Sequence, residues 1–153
     1  MESLNRKHKN LMQAIATIKE TLNAIGKLDN YPEQLNVPAV FDRESLYKFL
    51  RDSLVQRFEY STDLFWKYLK IYLEKVAMLT TVNSPATAIR ESCSYGLLSE
   101  VEGQQALNMI RSRNLTSHVY LEEVAAKLAK EIPEYYKFMK TVSQRLAPKV
   151  DKE

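Results

Sequence analysis

The apolar positions of this chain recur by threes and fours almost from its start. Leu4, Leu11, Ile15, Ile18, Leu22 and Ile25 share one face, and His8 fills the gap at the same phase. That spacing predicts an amphipathic helix over 4–25 with a helix–helix seam. Gly26 is a natural stop. The lone His8 reads as a seam-edge histidine, because no second metal-type residue accompanies it. The segment 28–41 contains Pro32 and Pro38, lacks periodicity and reads as a long loop. Asp42 has the character of an N-cap, with Glu44 in the turn that follows. Neither Pro nor Gly interrupts the next stretch, so the pattern predicts one helix over 43–79, roughly 55 Å long. Its stripe is Leu50, Leu54, Phe58, Phe65, Tyr68, Tyr72 and Val76, widened by Phe49, Trp66, Leu69 and Leu73. A helix this apolar should touch more than one neighbour.

Punctuation organises the second half. Ser84-Pro85 is an N-cap followed by a proline at the first helical position, and Gly96 ends the short helix that this predicts. Ser99, with Glu100 and Glu102 behind it, starts another helix, which turns Ala106, Leu107 and Ile110 inward and leads into 111–120. A last helix begins near Leu121, with Leu121, Val124, Leu128, Ile132, Tyr135, Met139, Val142 and Leu146 as its seam. Pro133 lies inside that pattern and is expected to kink or restart it. The tail 148–153 is expected to fray. The fold expected is all-α: an antiparallel up-and-down four-helix bundle with a short extra helix, as one domain over 1–153.

Composition agrees. The 153 residues include only 3 Gly and 5 Pro, and 45% are hydrophobic, which suits a compact helical domain rather than a disordered or all-β chain. The net charge of +3 is spread out: 42–79 carries seven basic and six acidic residues, and 121–153 the same numbers. No basic block of the kind that marks a DNA-binding arm stands out. A single cysteine, Cys93, excludes an internal disulfide and a cysteine-built metal site, and fits a reducing cytoplasm. No apolar stretch suggests a secretory signal or a membrane span.

Most catalytic signatures are missing: there is no Gly-rich phosphate loop, HExxH, CxxC or GxSxG. One segment gathers chemistry, Arg111-Ser-Arg-Asn-Leu-Thr-Ser-His-Val-Tyr120. Arginine offers phosphate a planar fork of donors, and histidine exchanges a proton near neutral pH. Together they suit transfer at a phosphodiester without a metal or cofactor. On an unbroken helix Arg111, Asn114 and His118 share a face, whereas Arg113 and His118 diverge by about 140°. Arg113 joins His118 only if the helix ends between them or the groups converge across a dimer. The plainer alternative is a polar helix end whose cations favour the C-terminal dipole.

The order of motifs along the chain resembles the HEPN superfamily, and within it the nucleotidyltransferase substrate-binding proteins. The resemblance runs over 52–146: Gln56-Arg-Phe-Glu-Tyr-Ser61, Trp66-Lys67, Ser84-Pro85 with Ile89-Arg-Glu91, and Arg113-Asn-Leu-Thr-Ser-His118-Val-Tyr120. It implies a helical bundle that forms a homodimer, with two Arg/His motifs in one cleft. It also implies a metal-independent ribonuclease, in which His118 moves the proton of a ribose 2′-hydroxyl and Arg113 holds the phosphate. Asn114 would orient the cleft, and Arg111 is the second candidate for the arginine. The implied partner is a minimal nucleotidyltransferase, which in toxin–antitoxin pairs adds AMP to the motif tyrosine, here Tyr120. Glu59 is a candidate lining residue facing the motif. The same resemblance allows a second role, a non-catalytic subunit that binds nucleotide or substrate for the transferase. A plain dimeric scaffold is the third.

Overall fold

A computed structural model describes residues 2–30, 42–116 and 121–149. These form five α-helices: α1 (Glu2–Lys27), α2 (Arg43–Val76), α3 (Pro85–Ser94), α4 (Glu100–Thr116) and α5 (Glu122–Arg145). A 3-10 turn, Leu28–Asn30, follows α1. Most of the expected loop, 31–41, and the tail 150–153 lie outside the described residues. No strand occurs among those described, so the chain is all-helical, as its periodicity requires.

Cross-helix contacts fix the directions. Thr17 Oγ1 lies 2.7 Å from Tyr60 Oη, and Arg57 donates to Thr21 Oγ1 at 2.8 Å, so α1 and α2 run antiparallel. The Phe58–Tyr135 and Phe65–Phe138 ring pairs make α2 and α5 parallel. Arg145 reaches Glu102 at 2.9 Å while Ser112 meets Tyr135 at 3.1 Å, so α4 and α5 are antiparallel. The order α1, α2, α4, α5 is therefore up, down, up, down, and α3 is the short extra helix, packed on α2 and α4. The core collects the seam residues: Leu4, Leu11, Ile15 and Ile18 from α1, Leu54, Phe58, Phe65 and Leu69 from α2, and Leu128, Ile132 and Met139 from α5. Burying such side chains is the main favourable term in folding.

Capping follows the sequence closely. Asp42 accepts from Ser45 N–H at 2.7 Å, and this bond holds its carboxyl below the ordinary range. Ser84 caps α3, with Pro85 in its first turn. Ser99 and Glu102 form a reciprocal capping box at 3.1 and 3.0 Å. After α3, Gly96 takes a left-handed φ of 73°. Gly96 N–H donates to Cys93 O and Leu97 N–H to Ser92 O, the paired closure of a Schellman end.

Four expectations need correction. Helix α1 does not stop at Gly26 but continues through Lys27. Helix α2 ends at Val76, not Leu79: Met78 adopts a left-handed φ of 57°, and the Ala77 and Leu79 N–H groups both donate to Leu73 O. Helix α5 does not restart at Pro133 but runs on as one element: buried Leu128 and Ile132 before it and Phe138 and Met139 after it hold the helix in place, although the proline removes the bond to the Ala129 carbonyl and crowds it. Phe49 and Val76, placed in the apolar stripe, are 56% and 54% exposed. His8 behaves as expected, donating from Nε2 to Ser143 O at 2.8 Å beside the Tyr68 ring.

Candidate functional site

Helix α4 carries the first part of the chemistry-rich segment against both α2 and α5. Successive residues on a helix turn by about 100°, so Ser112 and Arg113 point to different neighbours. Arg113 faces α2, where Nε donates to Asp63 Oδ1 at 3.1 Å and Nη2 to Asp63 Oδ2 at 2.9 Å. Ser112 faces α5. Its hydroxyl lies 3.1 Å from Tyr135 Oη and donates a long bond, 3.4 Å, to Glu131 Oε2. The Tyr135 ring stacks on Phe58 of α2, which closes the triangle of helices. Two adjacent residues thus tie the end of α4 to both of its neighbours.

The bidentate geometry matters for what Arg113 can do. A guanidinium has five N–H donors in a fixed fork. Asp63 takes one on Nε and one on Nη2, leaving three, and the Arg113 side chain stays 24% exposed. A carboxylate that orients an arginine while leaving one edge of its fork open creates a preorganised anion contact. The same carboxylate also offsets the positive charge.

The other residues of the segment differ in placement. Arg111 is exposed on the far side of α4, and its Nη1 donates to Asn108 Oδ1 at 3.3 Å. Asn114 is exposed in the last turn. His118 and Tyr120 lie outside the described residues, so their meeting with Arg113 is not described. Helix α4 is described as far as Thr116, between Arg113 and His118. Thr116 Oγ1 donates back to the Arg113 carbonyl at 2.8 Å in that last turn. Glu59 is half-buried one turn before Asp63 and makes no hydrogen bond or ion pair among the described residues. Asp63, not singled out from the sequence, is the carboxylate that pairs with Arg113. The available signal was its spacing of four from Glu59, which puts both on one helix face.

Beside the Arg113–Asp63 pair, Ser112, Leu115, Val124, Lys127, Leu128 and Glu131 line a small groove of about 60 Å³ between α4 and α5. Leu115 at its edge is 67% exposed. Among the described residues no three His, Cys, Asp or Glu side chains form a cluster that could hold a metal. Nor is any of their helices long and apolar enough to cross a membrane.

These features define a four-helix bundle whose charged site sits at the C-terminal end of α4. The chain belongs to the family described as nucleotidyltransferase substrate binding protein like, whose pattern matches residues 6–148. The HEPN resemblance is consistent with that membership. A solved crystal structure of a protein from Thermus thermophilus is similar, at 33% identity and a TM-score of 0.69, covering 90% of this chain and 99% of that one. No curated protein matches the chain.

Proposed function

We propose that this protein is a metal-independent ribonuclease of the HEPN type that works with a minimal nucleotidyltransferase as its antitoxin. The observation that supports the reading is Arg113, oriented by Asp63 with part of its donor fork left for a phosphate. In this reaction His118 takes the proton of a ribose 2′-hydroxyl. The freed oxygen attacks the adjacent phosphorus, the 5′-oxygen leaves with a proton, and a 2′,3′-cyclic phosphate remains. Arg113 stabilises the extra negative charge on the phosphoryl oxygens. Asn114 orients the cleft, which two protomers share, and Arg111 on the outer face of α4 is the alternative arginine for holding the phosphate. Control comes from the partner, which transfers AMP from ATP to the Tyr120 oxygen and releases pyrophosphate. The added anion beside the cleft repels RNA.

The test is RNA cleavage by the purified chain with a chelator present. Wild type is expected to yield cyclic-phosphate ends, and His118→Ala to lose activity by a factor of about 100 or more. Equal cleavage by the variant rejects the proposal.

A second reading has its own support: a subunit that binds nucleotide or acceptor for the transferase without cleaving it. The family description points that way, and Asp63 offsets the charge that a catalytic arginine would bring to a phosphate. Stimulated transfer by the partner, with no RNA turnover by the isolated chain, would select it.

A further inference from the structure

Away from the Arg113–Asp63 pair, α1 and α5 meet along a strip with an unusual charge pattern. The ammonium groups of Lys19 on α1 and Lys140 on α5 both lie 5.9 Å from the ring centroid of Tyr136. Both lysines are exposed, and among the described residues neither has a carboxylate at ion-pair distance. Two cations on one ring lose the usual reason for adjacency, since each repels the other and the ring offsets only part of that repulsion. The nearby carboxylates are engaged elsewhere: Glu134 pairs with Lys137 at 3.2 Å, and Glu20 lies 3.6 Å from Arg57 on the α2 side.

The surroundings identify the anion. A bilayer-binding face needs large exposed apolar side chains beside its lysines. The large exposed hydrophobics among the described residues include none from α1 or α5, and Met12 and Tyr136 are packed against the core. The strip therefore has charge and an aromatic edge but no membrane anchor, which suits a nucleic-acid backbone. Its position fits as well. Tyr136 follows Tyr135 on α5, whose hydroxyl meets Ser112, the residue before Arg113.

We infer that Lys19, Lys140 and Tyr136 form a backbone-holding site for single-stranded RNA, from which the strand continues to Arg113. This rests on the ribonuclease reading for its destination but not for binding itself. The phosphates exchange their counterions for the two ammonium groups, and the strand is held by charge rather than by sequence.

The test uses the full chain carrying His118→Ala, so that RNA stays intact, with and without Lys19→Glu and Lys140→Glu. Fluorescence anisotropy of a labelled single-stranded RNA is followed against salt. The double charge reversal is expected to weaken binding about tenfold or more and to flatten the salt slope by about 1.4, the contribution of two phosphates. The paired Lys19→Gln and Lys140→Gln changes should weaken it less. Because both side chains are exposed, melting temperatures should stay within a few degrees. Unchanged affinity and slope overturn the inference. So does loss of binding to phosphatidylglycerol vesicles with RNA binding intact. A parallel cleavage assay with native His118 separates the two ideas. If nothing is cut but the lysine variants still lose RNA, the ribonuclease reading fails and the binding site stands. If RNA is cut with unchanged KM by the lysine variants, the site fails and the ribonuclease stands.

Discussion

At the scale of single residues, Asp63 is the main addition to the site. Its carboxylate fixes the Arg113 fork from one side, and both side chains remain partly open to solvent at 35% and 24%. Such a pair contributes modestly to stability, because water already solvates both charges well. Its larger effect is on position. Asp63→Ala is expected to cost about 1 kcal/mol in a thermal melt. In the RNA assay it should lower kcat about tenfold while KM changes little, since the arginine loses its aim rather than its charge. A drop in KM alone would show that Asp63 competes with substrate instead of positioning Arg113. Arg111 and Arg113 also separate at this scale: two residues apart on a helix they face opposite ways, and Arg113 is the one that meets Asp63 of α2.

At the scale of elements, short-range chemistry sets most boundaries. Ser84, Ser99 and Asp42 cap because a side-chain oxygen reaches an N–H three residues on, a purely local relation. The boundaries that differ from the sequence pattern are set over longer range. Met78 holds a left-handed φ without being glycine, and nothing in its residue type announces it. Gly26 sits inside a helix because the flanking Ile25 and Leu28 pack on the core. The close approach of α3 and α4 is another long-range fact. A Cβ placed on Gly103 would lie 2.4 Å from Cys93 Sγ. Gly103→Ala is therefore expected to destabilise the protein by about 1–3 kcal/mol, despite alanine's better helix propensity. Combining it with Cys93→Ala, which removes the sulfur, should restore most of the loss in a denaturant titration. No rescue would place the strain elsewhere.

For the whole molecule, helices α1, α2 and α5 form a mutually packed group, and α3 with α4 lies against it. Large side chains fill the first group, including Phe58, Phe65, Tyr68 and Leu69. Tyr68 is held there by a bond to the Leu146 carbonyl, and burial raises its phenol above the ordinary range. Helix α4 buries only Gly103, Ala106 and Met109 fully. Less apolar area means less local stability. In native-state hydrogen exchange the α4 amides are expected to exchange before those of α2, through a sub-global opening. Equal protection across both helices would show one cooperative unit. An easily opened α4 also means that the element bearing Arg113 is the one that a bound strand or partner can most readily shift.

The sequence alone determined the helical class, the number and order of helices and the caps, because each depends on neighbours within a turn or two along the chain. It also marked Arg113 and its neighbours as the place where chemistry gathers. Tertiary structure decided which carboxylate of α2 meets that arginine, Asp63, and it brought Lys19 and Lys140 to one ring from opposite ends of the chain. Both outcomes depend on the axial register of packed helices. That register is set by how buried side chains of different sizes interdigitate, a many-body fit that local periodicity leaves open.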